Sequence, residues 1–284
     1  MTVTHKVSAD PDVSTRTALG VLRFVDPVTG QSVTEGLSVI ARARNKAILA
    51  TPSTRGVHIF HQLPGMSAAS FWDGEDVSVA PSSYEFDIEV RDTSRRFFST
   101  AFKTSFPAWP ETAPICQEGD TLDRNIPLFS APWRLPRNDL AIVRGTLQVS
   151  STKKPAAWAL LRAYRKDDDV MTATPVSQGV AGPDGEFMLM FPWPKADTPA
   201  LAGPKGPRWS VRIQACYDSP GTQVAEADLP DGEKRLPALC SILKQQPATL
   251  LQETGPDVEL GPHEMTPGQT LLLRTSGEKV LYVK

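Results

Sequence analysis

His58 and His61 form a His-x-x-His spacing, the first place in this chain where side chains could share a metal ion. On a helix the two rings would lie on one face. Here they fall in Val57-His58-Ile59-Phe60-His61, whose apolar and β-branched content predicts a strand, and strand positions three apart face opposite sides. The expectation is one surface histidine and one at the strand end, with no metal between them. His5 and His263 have no acid or nucleophile close in sequence. In Lys166-Asp167-Asp168-Asp169 three adjacent carboxylates offer oxygen ligands for a cation such as Ca²⁺. Adjacent residues in an extended loop splay apart, and the alternation and glycine of a calcium loop are missing, so the run reads as a solvated turn. Cys116, Cys216 and Cys240 are odd in number and far apart, which suggests neither a disulfide framework nor a paired-cysteine metal site; they read as ordinary buried or half-buried thiols. Arg42, Arg44, Arg91, Arg95 and Arg96 make local basic clusters, but Asp87, Glu89 and Asp92 lie among them, so a charged sheet face is expected rather than an anion site. No phosphate-cradling glycine loop and no Gly-x-Ser-x-Gly elbow occurs. The residues therefore point to no catalytic group, no cofactor and no metal, and the chain is expected not to be an enzyme.

Chemistry being absent, the weight falls on the elements. The chain has 284 residues, enough for two domains that each bury a core. Thirty basic and 32 acidic residues leave a net charge of −2, which provides no field to hold nucleic acid or an anionic membrane. Twenty-six prolines, well above the usual ~5 %, disfavour long helices and mark strand ends and loops. The first dozen residues lack the pattern of a signal peptide, and no apolar run approaches a membrane span. The expectation is a protein made in the cytoplasm and not inserted in a membrane.

Strand signals recur in the same order in both halves. In the first, Leu19 to Val25 precedes an Asp-Pro-Val-Thr-Gly turn, Leu37 to Ala43 follows, then the turn at Gly56, Val57 to His61, and the strict alternation of Tyr84 to Asp92. In the second, Val143 to Val149 leads to Ala157 to Tyr164, then Gly182-Pro183-Asp184-Gly185, Glu186 to Phe191, and Arg208 to Ala215. Gly20, Gly56 and Tyr84 thus correspond to Gly145, Gly185 and Arg208, which suggests a tandem duplication. The fold class expected is all-β, with two tandem antiparallel β-sandwich domains of Ig-like or prealbumin-like type. The organisation expected is a flexible arm over 1–17, a sandwich over 18–106, a proline-rich strap over 107–139, and a second sandwich over 140–284. Within the strap, Ile126-Pro127-Leu128-Phe129 is expected to pack along a domain. A short helix is expected within Leu236 to Gln246, and Gln269 to Arg274 with Lys279 to Val283 around Thr275-Ser276-Gly277-Glu278 reads as a C-terminal hairpin.

Candidate contact residues come from two sources. Trp72, Trp109, Trp133 and Trp193 lie in loops or proline-rich segments, where they can anchor a partner, stack on a sugar, or plug the end of a sandwich. Leu271, Leu273, Leu281 and Tyr282 belong to the expected terminal hairpin, whose edge could extend a partner's sheet. Trp158 and Trp209 read as core or sheet-face residues.

Gly145-Thr146-Leu147, Pro155-Ala156, the strand ending Leu161-Arg162-Ala163-Tyr164, and Asp184-Gly185-Glu186-Phe187 together resemble carboxypeptidase-regulatory-like, prealbumin-like domains. Asp184, Gly185 and Phe187 match that family's T-D-x-x-G-x-F turn, while its threonine is missing and the spacing is compressed. Such domains are typically non-catalytic. Leu22 to Gly30, Gly56 to Gly65 and Pro127 to Pro132 are in turn similar to accessory proteins of bacterial phage-tail-like contractile injection systems. That resemblance implies an adaptor whose partners are other protein subunits of a particle (tail, baseplate or cap components), with release as part of an extracellular particle. A carbohydrate-binding or adhesive module using the loop tryptophans is the alternative.

Overall fold

A computed structural model describes residues 18–43, 46–66, 84–106, 115–116, 125–166, 168, 170, 172–193, 209–218, 236–254 and 257–284. The first strands are β1 (Gly20–Asp26), β2 (Gln31–Ser32), β3 (Leu37–Ala43), β4 (Lys46–Leu49), β5 (Thr51–Ser53), β6 (Val57–Phe60), β7 (Tyr84–Asp92), β8 (Thr100–Phe106) and β9 (Asn125–Pro127). They build one sheet in the order β2-β1-β6-β5, with β9 parallel to β1, and a second in the order β4-β3-β7-β8. Leu22 and Phe24 of β1, Phe60 of β6, and Phe86, Ile88 and Val90 of β7 alternate into one core, which is the period-2 pattern of half-buried strands made physical. Each such side chain taken fully from water contributes roughly 1.5–3 kcal/mol.

The chain continues through β10 (Leu140–Val149), β11 (Leu160–Arg165), β12 (Ser177–Val180), β13 (Glu186–Pro192), β14 (Trp209–Cys216), helix α1 (Leu239–Leu243), β15 (Pro247–Ala248), β16 (Leu250–Thr254), β17 (Asp257–Glu259), β18 (His263–Met265), β19 (Thr270–Leu273) and β20 (Leu281–Val283). One sheet runs β13-β10-β20-β16-β17 with β19 also on β10, and the other runs β12-β11-β14-β15 with β18 on β14. The pairing of the first half recurs: β10 pairs antiparallel with β13 as β1 does with β6, and β11 with β14 as β3 does with β7. Even the parallel addition recurs, β9 on β1 and then β19 and β20 on β10. All four sheets are predominantly antiparallel, and the chain is an all-β protein of sandwich type.

β13 is apolar at nearly every position because both of its faces are covered. Phe187, Leu189 and Phe191 enter the second core, while Met188 and Met190 pack with Leu140 and with Val28 of the first half. The halves also share a core, since Leu160, Val180, Leu239 and Ile242 join the cluster that holds Phe97, Phe98 and Phe102. Along the strap, Ile126, Leu128 and Phe129 are buried, and the Leu128 amide donates to the Val25 carbonyl at 3.0 Å.

Three sequence expectations are corrected. Cys116 and Cys240 form a disulfide across 124 residues of chain, which their spacing could not reveal because only the packing of α1 brings them together; Cys216 is the buried free thiol. The terminal turn exists, with the Thr275 amide donating to the Val280 carbonyl, but β19 and β20 do not pair with each other. Both run parallel to β10 at successive registers, because Leu273, Leu281 and Val283 must enter the same core. The interruption between them is pinned by Thr275, whose Oγ1 donates to the Leu251 carbonyl and accepts from the Tyr282 amide. Third, His58 is wholly buried rather than on the surface, on the same side of β6 as Phe60.

Candidate interaction surface

The structure disperses most of the expected contact residues. Trp72 and Trp109 lie outside the described residues. Leu273, Leu281 and Tyr282 are buried and Leu271 is half-buried against the second core. Tyr282 additionally carries the Lys153 ammonium 3.7 Å from its ring centre. Since β20 sits between β10 and β16, it presents no edge, and the docking role expected of it is not available. Trp193 is half-buried on the second core and stacks at a tilt on Trp209, with ring centres 5.0 Å apart.

Trp133 is different. It stands at the end of the strap in a turn closed by the Arg134 amide on the Ala131 carbonyl, and its Nε1 donates to the Arg95 carbonyl at 2.5 Å. Arg95 holds a left-handed φ of 56°, and its carbonyl meets the indole nitrogen. One edge of the Trp133 ring meets Phe98 at 5.6 Å, and Phe98 in turn meets Trp158 edge-on at 5.6 Å, so a strand connection of the first half, the strap and the second half are joined by three rings. Arg134 braces the same corner. Its guanidinium grips Asp26 through two hydrogen bonds, 3.1 and 2.6 Å, bonds Ser130 Oγ, and lies 4.7 Å from the Phe97 ring centre. The indole is thus fixed on its inner side while Trp133 remains 55 % exposed, and Leu135 beside it is 89 % exposed. Sequence composition singled out Trp133, but Leu135 carried no signal beyond its proline neighbours.

The charged sheet face expected around Arg42 and Arg91 is organised by Glu89. Its buried carboxylate accepts from Arg42 at 2.8 and 3.0 Å and from Arg91 at 2.6 Å. Burial pushes the Glu89 carboxyl up, but the hydrogen bonds and charges of Arg91 and Arg42 outweigh it and hold it below the usual range. Arg44 lies outside the described residues, as do Asp167 and Asp169; the carboxylate of Asp168 caps its own turn by accepting the Arg165 amide at 3.0 Å.

Two histidines have shifted environments. His58 meets Phe24 edge-on at 5.3 Å, and neither ring nitrogen has a hydrogen-bond partner among the described residues. Burial lowers its pKa, and the same cause lowers that of His263, which lines an open groove of about 550 Å³ with Gln252, Arg274 and Lys279. Among the described residues the Nε2 of His263 has no hydrogen-bond partner. The buried neutral imidazole has a stability consequence. An unfolded histidine titrates near ~6.5, so above that pH both states are neutral and nothing is gained or lost. As pH falls below it, the unfolded chain takes up a proton that the folded chain resists, and stability falls. Between pH 7.5 and 5.5, His58→Leu should lose about 1 kcal/mol less than wild type in urea unfolding; equal losses in the two proteins would refute this.

No protein-family model matches the chain, and no curated protein does. Among solved structures, a Bacillus anthracis TIE protein is similar at 10 % identity with a TM-score of 0.24; the match covers 94 % of this chain and 43 % of that one. Among the described residues no helix is long and apolar enough to cross a membrane, and no group of three or more His, Cys, Asp or Glu is placed to hold a metal ion. The class defined by fold and surface is an all-β, multi-sheet sandwich protein with an aromatic corner formed by Trp133, Phe98 and Trp158.

Proposed function

We propose that this chain is a non-catalytic adaptor that docks onto a larger bacterial assembly of the contractile, phage-tail-like kind, through the Trp133 and Leu135 corner. The observation that carries the reading is the indole held by Arg95 and Phe98 with its outer side open. A ring already fixed in place loses little entropy on binding, and tryptophan is over-represented among residues that dominate interface energies. The likeness of Leu22 to Gly30 and Pro127 to Pro132 to injection-system accessory proteins supplies the kind of partner: other protein subunits, met after synthesis in the cytoplasm and carried out in a released particle. Residues 1–17 are a second docking element on this reading.

Substituting Trp133→Ala together with Leu135→Ser should leave the circular dichroism spectrum of the purified protein unchanged and remove it from sedimented particles of its host. Full incorporation of the folded double variant would sink the docking assignment. The open indole also supports a carbohydrate-binding reading, in which Trp133 stacks on a sugar. Titrating polysaccharides against intrinsic fluorescence separates the two: a sugar binder responds and loses the response in Trp133→Ala, whereas an adaptor does not respond.

A further inference from the structure

We infer that the Cys116–Cys240 disulfide is a redox latch on the joint between the two halves of the chain. Segment 236–245 is the joint's plate, and it is bonded in both directions. Toward the first half, the Pro237 carbonyl accepts the Ala101 amide at 3.1 Å and Thr100 Oγ1 at 3.0 Å, and Ala238 bridges to Ala101 along the edge of β8. Toward the second, the Gln245 side chain accepts the Leu160 amide at 2.9 Å and donates to the Trp158 carbonyl at 3.1 Å. Between these contacts lies only α1, five residues whose Leu239 and Ile242 are buried in the core the halves share.

A helix of this length is not stable by itself. Its N-cap residue, Ala238, makes no side-chain cap hydrogen bond, and the first turn carries no acidic residue. The plate is therefore held by its tertiary contacts and by the one covalent bond, which ties Cys240 to Cys116 beside buried Ile115.

Both bridged cysteines are half-buried, which leaves the bond within reach of a small thiol. A thiolate attacks one sulfur, a mixed disulfide forms and the other cysteine leaves as a thiolate that takes a proton; a second thiol resolves the mixed disulfide. Two small-molecule thiols thereby supply two electrons and two protons, giving two cysteine thiols and one small-molecule disulfide. Cys216, wholly buried with its thiol pushed up by burial, stays protonated and outside the exchange. The latch is open in a thiol-rich compartment and closed in an oxidising one, and it works whatever the chain docks onto.

Hydrogen exchange on the full chain, oxidised and then in dithiothreitol, tests this. Amides of Ala101, Leu160 and Ile242 should exchange roughly tenfold faster or more after reduction, while those in the β3 and β7 pairing change by less than about twofold. Thiol titration of the denatured protein should find one thiol before reduction and three after. Cys116→Ser with Cys240→Ser should exchange like the reduced wild type and ignore dithiothreitol; where that variant does not fold, the reduced wild type decides alone. Unchanged exchange at the three amides, three thiols in air-oxidised protein, or uniform acceleration throughout the chain would each overturn the latch, the last by making the bond a global support.

Discussion

Replacing Asp26 by alanine should lower the unfolding free energy by about 3–5 kcal/mol, one of the largest losses available from a single polar side chain here. The side chains of Asp26 and Arg134 are only 7 % and 14 % exposed, so little solvent replaces the lost partner. Removing the carboxylate leaves the Val28 amide, Thr29 Oγ1 and the Arg134 Nη2 without their acceptor, and Arg134 Nη1 with Ser130 Oγ alone. It also frees the far end of the strap, because Arg134 is what fastens the turn after Ala131 to the end of β1. Arg134→Met should cost a similar amount, and the double variant Asp26→Ala with Arg134→Met should cost clearly less than the sum, since no buried charge is then orphaned. Chemical denaturation of the four proteins forms the cycle, and strictly additive losses would show that the pair does not act as a unit. Because the pair is shielded, raising salt from 0.1 to 1 M, where the Debye length falls from about 10 to 3 Å, should change its contribution little.

Strands were legible where alternation and turn chemistry agreed. Tyr84 to Asp92 alternates strictly between turn residues and is β7 over the same range, and Leu37 to Ala43 is β3. What the alternation leaves undetermined is which face turns inward when both carry apolar residues. In Val57-His58-Ile59-Phe60 the aliphatic pair and the His-Phe pair compete, and the phenylalanine ring, with more area to bury, takes the inside and carries His58 with it. The terminal segment departs from the hairpin its turn suggests for a related reason. A tight turn shows where a chain reverses locally, but the partner of each flanking strand is set by where its leucines find a core, and here that is alongside β10 on both sides of the turn.

The candidate surface was half legible. Loop tryptophans framed by prolines drew attention to Trp133 and Trp193 alike, yet one is fixed with an open face and the other is spent on Trp209. The difference lies in residues distant in sequence: Arg95 and Phe98 for Trp133, β14 for Trp193. Pairing of Cys116 with Cys240 belongs to the same category. Their separation carried no information, because only the tertiary packing of α1 brings Cys240 beside Cys116.

Gly185→Ala should destabilise the chain by about 3 kcal/mol or more, although it adds one methyl group at a turn. The turn Gly182-Pro183-Asp184-Gly185 is closed by the Gly185 amide on the Gly182 carbonyl and by the Asp184 carboxylate on the Glu186 amide. Gly185 sits at φ +83°, where a side chain costs roughly 1–2 kcal/mol. The larger part is steric, since an added Cβ would lie 2.3 Å from the Leu147 carbonyl oxygen. That oxygen is backbone of β10 and cannot swing aside; relief requires parting β10 from β13, beginning with the bond from the Leu147 amide to the Gly185 carbonyl. Gly277→Ala separates the two costs, because Gly277 has nearly the same φ, +78°, with nothing near its missing Cβ. It should lose only about 1 kcal/mol, and Gly56→Ala, whose Cβ would meet only the Ser32 side chain at 2.7 Å, should fall between. Thermal unfolding of the three variants ranks them directly. If Gly185→Ala lost no more than Gly277→Ala, backbone strain alone would explain this turn and the close approach of β10 would contribute nothing.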